Sequence, residues 1–153
     1  MKQFILATVM LLTVAFARPA GADVTTLFSG YIVWTETAQV VDDKLLIDGS
    51  GDGNSTLGTF TYTFHFDVNL PSGTGKGTAQ VTFANGDAWS TTSRAIGEFT
   101  GIGDVAQVNE IHLVKTATGQ FAGQIGEFTI SRLVDNVTGN SRASFHGEFT
   151  KVE

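Results

Sequence analysis

Thr59-Phe60-Thr61-Tyr62-Thr63-Phe64-His65-Phe66-Asp67-Val68 alternates apolar and polar residues without a break. A strand sends successive side chains to opposite faces. Phe60, Tyr62, Phe64, Phe66 and Val68 therefore form one face, and Thr59, Thr61, Thr63, His65 and Asp67 the other. Threonine and the aromatic residues also favour a pleated, half-buried backbone. The stretch reads as a strand whose aromatic face is buried and whose polar face meets water.

The same period of two recurs on both sides of it, and no stretch after residue 22 sustains an apolar period of 3.6. Residues 24–41 read as one long strand or a bent pair, and 44–47 as a short strand. Residues 77–84 and 87–93 flank Asn85-Gly86, a two-residue hairpin signal because both residue types tolerate positive φ. Strands at 105–115, 125–134 and 141–152 complete the set, the last two joined by a turn over 135–140. The fold class expected is all-β: a single antiparallel, calycin-like up-and-down barrel of about eight strands, whose closure leaves no exposed edge.

A short signature appears four times: Gly58-Thr59-Phe60-Thr61, Gly97-Glu98-Phe99-Thr100, Gly126-Glu127-Phe128-Thr129 and Gly147-Glu148-Phe149-Thr150. Its spacing is uneven, which excludes a solenoid or propeller. It reads as a strand-opening device, with Gly at a sharp entry, Phe pointing in, and Glu or Thr pointing out. Phe60, Phe64, Phe99, Phe128 and Phe149 are then the expected main core. Phe128, Ile130, Arg132 and Val134 share one inward parity, which carries a guanidinium toward the lumen.

The chain start has the form of an export signal. Lys2 precedes an uncharged run from Phe4 to Phe16, and Ala20-Gly21-Ala22 supplies a small-residue cleavage pattern. The run is shorter than the roughly 20 residues that span a bilayer. Residues 1–22 are thus expected to be a cleaved signal peptide and 23–153 a single β-barrel domain, secreted or periplasmic, with no membrane segment after cleavage. The 153 residues carry a formal net charge of −6, no cysteine and no basic run. Nucleic acid and anionic membranes are bound through clustered Lys and Arg, so neither is an expected partner. Disulfides and cysteine-ligated metals are excluded.

Few residues carry recognisable chemistry. The 48–54 stretch, Asp48-Gly49-Ser50-Gly51-Asp52-Gly53-Asn54, imitates the start of a calcium loop but lacks a bidentate Glu at its twelfth position, and reads as a glycine-rich turn. Of the three histidines, His65 and His146 have outward parity, so no metal site and no cofactor are expected. There is no Gly-x-Ser-x-Gly elbow and no Cys nucleophile. Asn54-Ser55-Thr56 and Asn136-Val137-Thr138 are glycosylation sequons, informative where the host glycosylates. Glu110 and His112 share a strand face with Val108 and Val114, opposite Asn109, Ile111 and Leu113. Parity alone leaves both orientations open. If Glu110 and His112 point in, they share the lumen with Arg132, and a buried guanidinium requires such a partner.

From about Gly51 to Phe149 the chain resembles a family of small exported bacterial proteins grouped with the allene oxide cyclase and dirigent-like β-barrels. The residues that carry the resemblance are Asn54 to Thr61, Val81-Thr82-Phe83-Ala84-Asn85-Gly86-Asp87, and above all Ala117-Thr118-Gly119-Gln120-Phe121-Ala122-Gly123-Gln124-Ile125-Gly126-Glu127-Phe128-Thr129. Leu133-Val134-Asp135 with Thr138-Gly139 extends it. Ala117 stands where the family prefers Gly. The resemblance implies an eight-stranded barrel with a central cavity, and homo-oligomers of the kind common in that family. It carries over no catalytic residue.

The resulting expectation is an exported barrel that binds a small, largely apolar molecule, with Tyr62, Phe64, Phe66, Glu110, His112 and Arg132 as candidate lining residues. A cyclase- or isomerase-type enzyme that folds a reactive substrate in the cavity, and a purely structural barrel, are the alternatives. Lumen volume and polarity distinguish them.

Overall fold

The computed structural model describes residues 23–151. The expected signal peptide, residues 1–22, lies outside the described residues, as does Val152, the expected end of the last strand. Eight antiparallel strands close into a barrel in simple sequence order. They are β1 (Val24–Val41), β2 (Lys44–Ser55), β3 (Gly58–Asn69), β4 (Thr74–Phe83), β5 (Ala88–Phe99), β6 (Val105–Ala117), β7 (Gln124–Asp135) and β8 (Asn140–Lys151). One 3-10 turn, Gly119–Phe121, joins β6 to β7. The first strand meets the last, with Val24 opposite Lys151 and Thr35 opposite Asn140, so every strand has two neighbours.

Aromatic rings fill the barrel because glycines make room for them. Opposite β3, Gly49 faces Phe64, Gly51 faces Tyr62 and Gly53 faces Phe60. A Cβ at Gly49 would overlap the Phe64 ring, and one at Gly53 the Phe60 ring. Three glycines at steps of two thus turn one wall of the lumen into a bare backbone surface on which rings lie. This overturns the reading of 48–54 as a turn: β2 runs unbroken through it, with Asp48, Ser50, Asp52 and Asn54 outside. A strand composed of glycine and small polar residues has little β-propensity of its own. Its conformation comes from the aromatic strand beside it.

The repeated Gly-x-Phe-Thr signature has the same meaning. Gly126 lies opposite Phe149, and Gly147 opposite Phe128, so the two copies interlock by exchanging ring for gap. The glycine opens a strand only in the first copy, where Gly58 starts β3 with φ 120°. Phe99 corrects the expected core: it keeps inward parity but stands beyond the barrel rim, 79% exposed. Asn85-Gly86 does turn the chain, but only Gly86 of the pair has positive φ, at 89°. The connection is wider than a two-residue hairpin, with Phe83 N–H donating to the Asp87 carbonyl at 2.8 Å.

The two ends differ. At the end of the 56–57, 84–87 and 118–123 connections, Phe28, Phe83, Trp89, Phe121 and Phe149 pack ring on ring, with Trp89 4.8 Å from both Phe121 and Phe149. Phe121, supplied by the 3-10 turn, stoppers that end. At the other end the turns at 42–43, 70–73, 100–104 and 136–139 leave the lumen uncovered.

Since the Gly53 site has no room for a side chain, Gly53→Ala should destabilise the fold by about 1–3 kcal/mol through overpacking. Asp52→Ala, one residue away on the outer face, should stay within about 0.5 kcal/mol. Chemical denaturation of the two variants checks the orientation of β2; equal effects would contradict it.

Candidate functional site

Arg132 organises the interior. β7 places it inward after Phe128 and Ile130, and its side chain is 3% exposed. Its Nε donates to Glu110 Oε1 at 2.7 Å, and its Nη1 donates to Glu36 Oε2 at 2.7 Å. Ser141 Oγ lies 3.3 Å from Nη1. The guanidinium carbon sits 5.4 Å from the Trp34 ring centroid and 5.9 Å from that of Phe64. One cation is therefore clamped between two carboxylates and rests on aromatic faces, the environment in which a delocalised guanidinium is best tolerated.

The network extends in both directions. Trp34 Nε1 donates to Glu36 Oε2 at 2.9 Å. The other oxygen of Glu110 accepts from His112 Nε2 at 2.9 Å, and His112 Nδ1 lies 3.0 Å from the Thr91 hydroxyl. A carboxylate only accepts, so Nε2 carries a proton; in the neutral ring Thr91 then donates to Nδ1. The imidazole lies flat on Phe128, 4.6 Å between centroids at 9°. Burial works to raise the Glu110 carboxyl, but the His112 hydrogen bond and the Arg132 charge outweigh it and hold the group below its ordinary range. The stability that this shift supplies is present above the unfolded carboxylate range and is lost as pH falls through the lowered value. Burial pushes the Tyr62 phenol well above 10, and the nearby Glu110 charge adds to the effect.

A cavity of about 180 Å³ opens above this network at the uncovered end. Glu36 and Arg132 form its floor with Phe66, while Ala95, Val108 and Val134 are among its walls. Phe99 and Leu70 stand at its rim. Larger concavities, up to about 830 Å³, are grooves on the outer wall, open to solvent and lined by outward residues such as His65, Lys76 and Ile111.

The six residues singled out in the sequence divide here. Phe66 and Arg132 line the cavity. Glu110 and His112 do point inward, against Ile111 and Leu113 outside, but they lie beneath the floor at 2% and 0% exposure. Tyr62 and Phe64 are buried lower in the barrel. Glu36 was missed. It lies two residues from Trp34, and a Trp-x-Glu pair on a long strand carries no distinctive signal until barrel closure sets β1 next to β8 and within reach of Arg132 on β7. The three histidines do not converge: His65 is outside between Asp48 and Asp67, His146 is outside near Thr129, and His112 is inside. The hydrogen bond that its ring donates to Asp48 holds His65 above its ordinary 6.5. Among the described residues no group of three metal-ligating side chains is arranged to hold an ion.

Removing one member of the buried clamp should leave an uncompensated charge. Glu110→Ala should cost about 3–5 kcal/mol, and Arg132→Met should do likewise by leaving Glu36 and Glu110 unpaired. The double variant should cost less than the sum of the two, by about 1–3 kcal/mol. Additive losses in denaturant unfolding would contradict the clamp.

No protein-family model matches the chain, and no curated protein matches it in sequence. Among solved structures, a pterocarpan synthase dirigent protein superposes with a TM-score of 0.60 at 11% sequence identity, covering 96% of this chain and 98% of that one. At that identity the likeness concerns the fold: the chain is a closed eight-stranded antiparallel barrel of dirigent-like architecture.

Proposed function

We propose that this protein is an exported binding barrel that takes one small, largely apolar molecule into the cavity at its uncovered end. The observation that carries the reading is the asymmetry of the lumen. Eight-stranded barrels have room either for side chains or for one small ligand. Here rings fill one end, while the other keeps a cavity of about 180 Å³ with apolar walls and a polar floor. An apolar cavity of about 150 Å³ admits a benzene molecule, so the occupant is of single-ring size, or a larger molecule that enters by one end. Lys2, the uncharged run from Phe4 to Phe16 and the A-x-A pattern at Ala20 to Ala22 support export.

Binding is preferred to catalysis on geometry. A general acid or base must reach the proton it transfers, directly or through one water. Glu110 and His112 are satisfied by each other, by Arg132 and by Thr91, below the cavity floor. What the cavity offers is a shaped apolar space with one polar wall.

Thermal unfolding in the presence of a panel of single-ring aromatic compounds tests this. At least one should raise Tm in a saturable manner, since a ligand of the native state stabilises it by mass action. Ala95→Phe, which fills the cavity from its wall, should abolish the rise. A panel without effect, or a rise that survives Ala95→Phe, would overturn the reading.

A further inference from the structure

We propose that Glu36 makes this cavity selective for small organic cations: an apolar body of about one ring ending in a protonated amine. The proposal rests on the binding reading above and specifies the charge of what is bound.

A lumen with an arginine in its floor suggests, at first sight, a receptor for anions. The pairing of Arg132 argues otherwise. Nε of Arg132 is used by Glu110 and Nη1 by Glu36, so two carboxylates already surround the one guanidinium. Counting Glu36, Glu110 and Arg132, the buried floor sums to one negative charge when His112 is neutral and to zero when it is protonated. In neither state is it positive. Glu98, exposed at the cavity rim, adds a further carboxylate, and the turns around this end carry Asp42, Asp43 and Asp104 against the one flanking cation Lys44. Tyr62 stays neutral, because burial holds its phenol protonated. Clefts lined by one sign of charge with low-dielectric walls concentrate ions of the opposite sign.

Glu36 is the group through which that field acts. Its side chain is 7% exposed, and it lines the cavity. The hydrogen bonds from Trp34, Arg132 and Ser141 all fall on Oε2. Oε1 accepts none among the described residues. A buried carboxylate thus keeps one acceptor oxygen unused where the cavity begins. Arg132 Nη2 likewise has no partner among the described residues, and it leaves room for an acceptor atom beside the ligand's charge. A carboxylate ligand would meet Glu36 while gaining only that single donor.

Three probes of one size separate the charges: benzylammonium, benzyl alcohol and benzoate, titrated at neutral pH into the full exported chain and followed by calorimetry. Benzylammonium should bind at least about tenfold more tightly than benzyl alcohol, and benzoate more weakly than either. Glu36→Gln keeps an acceptor for Trp34 and Arg132 but removes the charge; it should bring the three affinities to within about threefold of one another. Glu98→Gln, on the solvent side, should preserve the preference. Should Glu36→Gln fail to fold, the wild type decides by salt. A preference set by the buried carboxylate persists in about 1 M salt, whereas one set by exposed rim charges is screened away. Benzoate binding as tightly as benzylammonium, or a preference that survives Glu36→Gln or vanishes in salt, overturns the assignment to Glu36 while leaving the binding reading intact. Binding of none of the three overturns both.

Discussion

A guanidinium inside an aromatic barrel must be surrounded by acceptors, because an unpaired buried charge costs several kcal/mol. Arg132 meets that requirement with Glu110 from the neighbouring strand β6 and Glu36 from β1, which lies on the other side of β8. The consequences spread outward. Glu110 needs His112 for its second oxygen, His112 needs Thr91, and Glu36 needs Trp34. Side chains from β1, β5, β6, β7 and β8 are thereby fixed at one level of the barrel. That level divides the interior. Below it rings pack on glycines; above it the lumen stays open.

The division sets a firmly packed half of the barrel against an open one. On the closed side, each ring has its gap: Phe64 over Gly49, Phe60 over Gly53, Phe149 over Gly126. Such pairs leave little free volume, and interior volume changes of even one methylene are felt. On the open side, Phe99 and Leu70 stand exposed at the rim without sealing it. The polar level also keeps the cavity floor from collapsing, since its hydrogen bonds fix side chains that a purely apolar floor would leave free to repack.

Much of this was legible in the sequence where the signal was local. The alternation of 59–68 identifies β3 and its inward face, and steps of two from Phe128 carry Arg132 into the lumen. The pairing of Arg132 with a carboxylate of the adjacent strand follows from the cost of burying it alone. Three things were not legible because they depend on the partner strand. The glycines of β2 look like a turn until Phe60, Tyr62 and Phe64 lie across them. Phe99 has the parity of a core residue, but parity does not say where the barrel rim falls. Glu36 enters the site only through barrel closure, which brings β1 against β8 and so within reach of β7. Residues that meet only through closure carry no spacing in the chain.

The central claim is that one end of the barrel is filled and the other receives a small molecule above the Glu36–Arg132 level. Backbone amide NMR of the labelled protein, titrated with benzyl alcohol, addresses it directly, because it reports position as well as binding. The account predicts saturable shifts at Ala95, Val108, Val134 and Arg132, which surround the cavity, and none at Phe83, Phe121 and Phe149. Shifts centred on the aromatic end, or on the outer-wall groove around Lys76 and Ile111, would contradict it.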